Sequence, residues 1–512
     1  MLKWIKGAKS EHPFANDKAA REFIADLPAL DPYKALEELG YWLDTLGSAD
    51  DLKLPRVLEI IDLIDQSAKD HQRKLSQDYL SGSARLKKFQ EIRIWNAVFM
   101  FWKQLADTYQ MCLTRFQAGA GGWGALKGQM PMVVARAMRA LTLQLKWQLL
   151  RYGPVDRRVW EQMGRLYAYA EDRGFATTPV VVYPGKFGKS TVQREFLKGV
   201  MLSISSTDSL LPAKLEVAER IVAQFSEFFV MNRQPSKGCH YYFDLNESKL
   251  PARVMSRLQM TPGLRFFGPG SAALELEKLI VSVQADGVVP SHINLGGTFD
   301  TEWVLEALRH LARYWAPNPP ARGEERRVSV SRMSVVHDFD EIVSTVSGET
   351  RDLSFDSSVE IWTVENESEG GYGALMPQAS ADWLHVGTLI GVKLDDGASW
   401  GVGIVRRMSA YDHKQRYIGI QVLTKGATVV KLAAIGAKSG TELESALLLP
   451  SIANHTNGAS EMNLLLRPGA FSLQKSMEML AYERSYLLVP RQLMEGGHDF
   501  DMARFLVMRR AA

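Results

Sequence analysis

The hydrophobic period of the chain changes near Arg327, and this limits the fold more than any other feature. Up to about residue 232, apolar residues recur every three or four positions, the spacing of amphipathic helices. From Val328 onward, short apolar runs with β-branched residues alternate with polar turns, the spacing of strands. A chain of 512 residues has room for two to four domains, each with its own core, and the change of period marks a helical part followed by a β part.

The first part reads as an all-α scaffold. Asp31-Pro32 supplies an N-cap followed by Pro at the first helical position, and that helix runs through Leu36, Leu39 and Leu43 to Gly47. Pro55 opens a second, with Val57, Ile60, Ile61 and Ile64 at helical spacing. Further helices are expected over 83–116, 130–152, 154–173, 191–204 and 211–231, with Ala218, Val222, Phe225 and Phe229 on one face of the last. Trp160, Met163, Gly164 and Tyr167 resemble the first-helix signature of a tetratricopeptide repeat, but no 34-residue period accompanies them, so they support a helical hairpin. Residues 236–316 read as mixed α/β, with Ile280–Gln284 a candidate strand and Asp300–Trp315 a helix.

Beyond Arg327, strands are expected at Val328–Val335, Leu353–Val364, Trp383–Leu394, Ser399–Val405 and Tyr417–Leu423. Asp395-Asp-Gly397 is a hairpin turn, and the acidic stretch Asp338–Asp356 is an elongated hairpin or loop. The tail continues with β-type runs at 446–449, 462–466, 471–473, 486–489 and 505–508, which would extend the same barrel or form a second module.

Two half-motifs bracket the start of the β part. Arg322-Gly-Glu-Glu-Arg326-Arg327 follows a Pro-rich approach, and Asn366-Glu-Ser368-Glu-Gly370-Gly371 follows a strand-like run. Arginine carries a planar fork of donors that meets phosphate oxygens bidentately and matches the O6/N7 edge of guanine. Asn bonds a polar base edge, Ser adds a hydroxyl, and Gly lets a backbone approach closely. Read as RxxxR followed by NxSxxG, the pair resembles the signature of the PilZ domain, a small β-barrel that binds the bacterial second messenger cyclic di-GMP. Gly401–Arg406 and Ile418–Val422 are also similar to that barrel's later strands.

Periodicity and the resemblance together give the expectation of a multidomain α plus β protein. The residue pattern gives an α-helical domain at 1–235 and a mixed region at 236–316, followed by an Arg-bearing linker at 317–327. An antiparallel PilZ-like barrel at 328–435, in the C-terminal part, and a β-rich extension at 436–512 complete it. The resemblance implies a non-enzymatic cyclic di-GMP effector whose ligand is held by Arg322, Arg326, Arg327, Asn366, Ser368, Gly370 and Gly371. The ligand would order the linker and alter a protein-binding surface on the helical part, regulating motility, pili or exopolysaccharide.

Two other readings come from the same sequence. The barrel could serve as a protein-interaction adaptor that does not bind the nucleotide. Gly188-Lys189-Ser190 after Val180–Val182 imitates a phosphate-binding loop of an NTPase, but Tyr183 occupies the first glycine position of G-x4-GK[ST]. His240 and His310 lack partners at metal-ligand spacing, so no metal or cofactor is expected. The net charge of +3 does not call for nucleic acid. Two distant cysteines, Cys112 and Cys239, indicate a reducing compartment. Without an apolar leader at Met1–Gly7 or a membrane-length apolar run, the protein is expected in the cytoplasm.

Overall fold

The computed structural model describes residues 17–27, 31–49, 52–82, 87–184, 188–255, 257–320, 326–348, 359–377, 383–410, 415–435, 443–450, 460–481 and 484–509. The chain divides into two compact units, Met1–Ala321 and Arg322–Ala512.

Among the described residues, the first unit opens with the helices α1 (Asp17–Asp26), α2 (Pro32–Thr45), α3 (Leu54–Gly82), α4 (Lys88–Gln117), α5 (Met130–Leu149), α6 (Arg157–Asp172), α7 (Val192–Ser203) and α8 (Pro212–Gln224). Their starts follow local chemistry. Asp31, Asp156 and Thr191 each accept a backbone N–H of the first turn of α2, α6 and α7. Helix α5 is buried on nearly every side and forms the axis of the unit.

A four-stranded antiparallel sheet follows, made of β1 (Val230–Asn232), β2 (Tyr241–Asp244), β3 (Ala252–Arg253) and β4 (Leu264–Gly268) in the order β1-β4-β2-β3. Then come α9 (Ala272–Asp286) and α10 (Thr301–Trp315). One core runs from Ala20 to Trp315, so the stretch 236–316 packs with the helices rather than apart from them. The tetratricopeptide-like residues of α6 divide between two neighbours: Trp160 lies 6.0 Å from Phe243 of β2 and a Cβ on Gly164 would come within 2.8 Å of the Leu245 carbonyl oxygen, whereas Tyr167 lies 5.0 Å from Phe196 and Met163 packs against Gly199, both of α7.

Two local expectations are corrected. Ile280–Gln284 is not a strand but the second half of α9, where Leu276, Leu279 and Val283 form one buried face that overrides the β-branched composition. Helix α8 stops at Gln224; Phe225 and Phe229 lie beyond it and pack against Trp315.

The second unit holds two closed six-stranded barrels. The first comprises β5 (Arg327–His337), β6 (Glu360–Ser368), β7 (Gly371–Pro377), β8 (Leu389–Leu394), β9 (Gly401–Ala410) and β10 (Gln415–Thr424), with α11 (Phe339–Ser347) inserted after β5. Its order around the barrel is β10-β7-β6-β5-β8-β9. The second comprises β11 (Thr428–Ala434), β12 (Glu444–Leu449), β13 (Ser460–Leu466), β14 (Met477–Ala481), β15 (Arg484–Gly496) and β16 (Asp501–Arg509), ordered β11-β12-β13-β16-β15-β14.

The boundary expected at 435 therefore moves: β11 pairs with β12 and β14, and the first barrel ends with β10 at Thr424. Within Asp338–Asp356 the described part is not a loop but α11, capped by Asp338 and closed by left-handed Gly348. Strand β6 starts at Glu360 and β8 at Leu389, later than expected, and 353–358 lie outside the described residues. The run 471–473 is not a strand; the pairing falls on Met477–Ala481.

The barrels share a core. Val336, Leu389, Val402 and Ile404 on the outer side of β5, β8 and β9 pack with Phe339 and Ile342 of α11 and with Leu447, Leu465 and Phe500 of the second barrel. Gly391 makes room for this packing, since a Cβ there would lie 2.7 Å from Val336 Cγ2. The opposite outer side, across β6, β7 and β10, stays open: Ile361, Thr363 and Gln421 are exposed there.

Candidate functional site

The open side of the first barrel carries the residues singled out by the half-motifs. Strand β6 begins with Trp362 and Val364 facing inward, both fully buried. Strict alternation would turn Asn366 inward as well. Instead Val364 pairs with Ala374 while Asn366 pairs with Gly373, so Glu365 is an extra residue, a bulge that moves Asn366 to the outer face.

On the neighbouring strand Val328 pairs with Asn366 and shares its face. Arg326, two residues earlier, reaches the same face: its Nη1 donates to Asn366 Oδ1 at 2.7 Å and to the Tyr417 hydroxyl at 2.7 Å. Asn366 Nδ2 donates to the Tyr417 hydroxyl at 3.0 Å, closing a three-residue cluster.

Beneath Tyr417 there is only backbone. Asn366 pairs with Gly373, Gly373 with Gly419 and Gly419 with Arg407, so these four lie in one row across β6, β7, β10 and β9. A Cβ on Gly373 would collide with the Tyr417 hydroxyl and stand 2.6 Å from Asn366 Oδ1. The glycine row between Asn366 and Arg407 is thus the floor on which the cluster sits: Gly373 lies directly under the Tyr417 hydroxyl and Asn366 Oδ1, and Gly419 continues the row to Arg407.

The remaining motif residues are placed as follows. Arg327 is exposed and pairs with Glu367, which puts it on the face opposite to Val328 and Arg326. Ser368 ends β6, and its hydroxyl donates to the Gly371 carbonyl at 3.4 Å. The Gly370 carbonyl accepts the Val422 N–H at 3.0 Å. Gly371 lacks a Cβ because the Ile420 carbonyl of β10 occupies that space, so close strand approach requires the glycine. Arg322 lies outside the described residues. Tyr417 and Arg407 carry no motif of their own; only strand register, which sequence spacing does not reveal, brings them to the site.

The phosphate-loop imitation dissolves into the helical unit. The Tyr183 hydroxyl donates to Asp65 Oδ2 at 2.7 Å, the Ser190 hydroxyl donates to Glu195 Oε1 at 2.5 Å, and Val180 bridges Ser190; residues 185–187 lie outside the described residues. His310 is held by the Ser205 carbonyl at 2.6 Å.

Two family models match the chain. The N-terminal domain of the cyclic-di-GMP receptor FimW matches residues 18–235, and the middle PilZ domain of that receptor matches residues 337–428. The first barrel is a PilZ domain. It is a middle domain, correcting the C-terminal placement expected from sequence, because a whole second barrel follows it. No curated protein and no solved structure matches the chain. The match to the PilZ domain begins at His337, after Arg326 and Arg327. Among the described residues, no helix is long and apolar enough to cross a membrane.

Proposed function

We propose that this protein is a non-enzymatic effector that binds cyclic di-GMP on the open side of the PilZ barrel. The observation that carries the reading is the Arg326–Asn366–Tyr417 cluster beside the Gly373–Gly419 floor. Arg326 uses one terminal nitrogen to hold the cluster, which leaves its other donors for a phosphate or a guanine edge. Arg322 adds cationic donors from the segment before β5, Arg327 adds positive charge at the start of β5 from the strand's other face, and Ser368 adds a hydroxyl at the β6–β7 turn. Arg407 faces the ligand from the far end of the glycine floor. The similarity to a cyclic-di-GMP receptor over both matched regions supports the same ligand.

Ligand binding then orders the Arg-bearing segment and changes a protein-binding surface on the helical unit, with motility, pili or exopolysaccharide downstream. The cytoplasm suits a chain whose Cys112 and Cys239 are both free and buried.

Calorimetric titration with cyclic di-GMP tests this. Saturable binding by the parent, weakened at least tenfold in Arg326→Ala with circular dichroism unchanged, is expected. A folded parent that takes up no ligand overturns the reading and leaves the barrel as a protein-interaction adaptor.

A further inference from the structure

A second cluster of chemistry-bearing side chains lies where the two barrels meet. His385 belongs to the loop entering β8 of the first barrel, whereas His498 and Asp499 occupy the β15–β16 turn of the second. One ligand-capable atom from each lies within 4.8 Å of the others.

His385 and Asp499 are oriented from behind. The His385 Nδ1 is hydrogen-bonded to Thr388 Oγ1, whose hydroxyl donates to the His385 carbonyl at 2.8 Å, and this leaves Nε2 available. Asp499 Oδ2 accepts the Leu389 N–H of β8 at 3.4 Å, and its Oδ1 lies 3.2 Å from His498 Nδ1. The turn is fixed by Phe500, fully buried in the shared core, and by Gly497 N–H donating to the Phe500 carbonyl at 2.7 Å. The two imidazoles stand nearly perpendicular, with centroids 5.9 Å apart.

We propose that His385, His498 and Asp499 form a binding site for a divalent transition-metal ion of the zinc class, clipping the two barrels together. Two imidazole nitrogens and one carboxylate oxygen are a donor set for such ions and a poor one for calcium or magnesium. The hydrogen bond behind His385 is the arrangement that fixes a ligating imidazole. Metal bonds of about 2.0–2.1 Å bring ligand atoms to roughly 3.3 Å of one another, so the three must close slightly. The His498 side chain is 88% exposed and free to make that movement. Water fills the remaining coordination positions.

The test uses the full-length, untagged, chelator-stripped protein, titrated with Co²⁺ and Zn²⁺ and followed by the Co²⁺ visible spectrum, calorimetry and thermal melting. One equivalent per chain, imidazole-type Co²⁺ bands and a Zn²⁺-dependent rise in Tm are expected. In His498→Ala the affinity falls at least tenfold and the Tm response disappears. Because His498 is exposed, this variant keeps its fold; His385→Ala, checked by circular dichroism, adds the second ligand. No binding by the parent, or equal binding by parent and His498→Ala, overturns the proposal.

Discussion

Tyr417 is the residue on which the proposed ligand face turns. Its hydroxyl accepts from both Arg326 and Asn366, so Tyr417→Phe removes one bond from each and leaves them held only by each other, while keeping the ring. About tenfold weaker cyclic di-GMP binding at unchanged Tm is expected, since a hydrogen bond to a charged group contributes about 1.5–3 kcal/mol. Calorimetry beside a melting curve separates this from a folding defect, and wild-type affinity in the variant would remove Tyr417 from the site. Sequence alone offered Arg326 and Asn366 as halves of a motif 40 residues apart. Tyr417 stayed hidden because its position depends on the Tyr417–Leu375 pairing of β10 with β7. His385 and His498 were hidden for a related reason: neighbours made by one barrel packing on another leave no local spacing to read.

At the scale of elements, helix α11 is the most informative. Ile342 is fully buried between the barrels, and Ile342→Ala is expected to cost about 2–5 kcal/mol, read as a lower denaturation midpoint of the second unit at unchanged slope. The helices of the first unit were legible because their ends are written locally, as at Asp31-Pro32 and Thr191. Helix α11 was not, since its polar, acidic surroundings outweigh the short Phe339-Ile342-Val343 face in any sequence window. Strand β7 escaped for a different reason. Gly371 and Gly373 weaken its strand character, and both glycines are required by contacts made only after the barrel closes. The β6 bulge is equally silent in sequence, although it decides which way Asn366 points.

At the scale of the whole molecule, each unit depends on a different balance. The first buries Lys146 against Glu216 and Glu219, at 2.5 and 3.0 Å. Burial pushes the Glu219 carboxyl up, but the charges of Lys146, Arg220 and Arg139 outweigh it and bring the pKa down to about 2, from an ordinary 4.5. A depressed carboxyl stabilises the fold above 4.5 and loses that contribution as pH falls toward 2. Asp62 and Asp65, raised by burial, act in the opposite direction. The stability gap between the parent and Glu219→Gln should therefore narrow between pH 4.5 and 2 in melting experiments; a constant gap would refute the assignment. The second unit rests on the core common to its barrels, and that core has a consequence during synthesis. Phe500 leaves the ribosome about 76 residues after Thr424 completes the first barrel. At ~5–20 residues per second, the apolar patch it covers waits roughly 4–15 s uncovered. The nascent chain thus passes through an interval in which a finished barrel still presents a sticky flank, a natural client for a ribosome-associated chaperone.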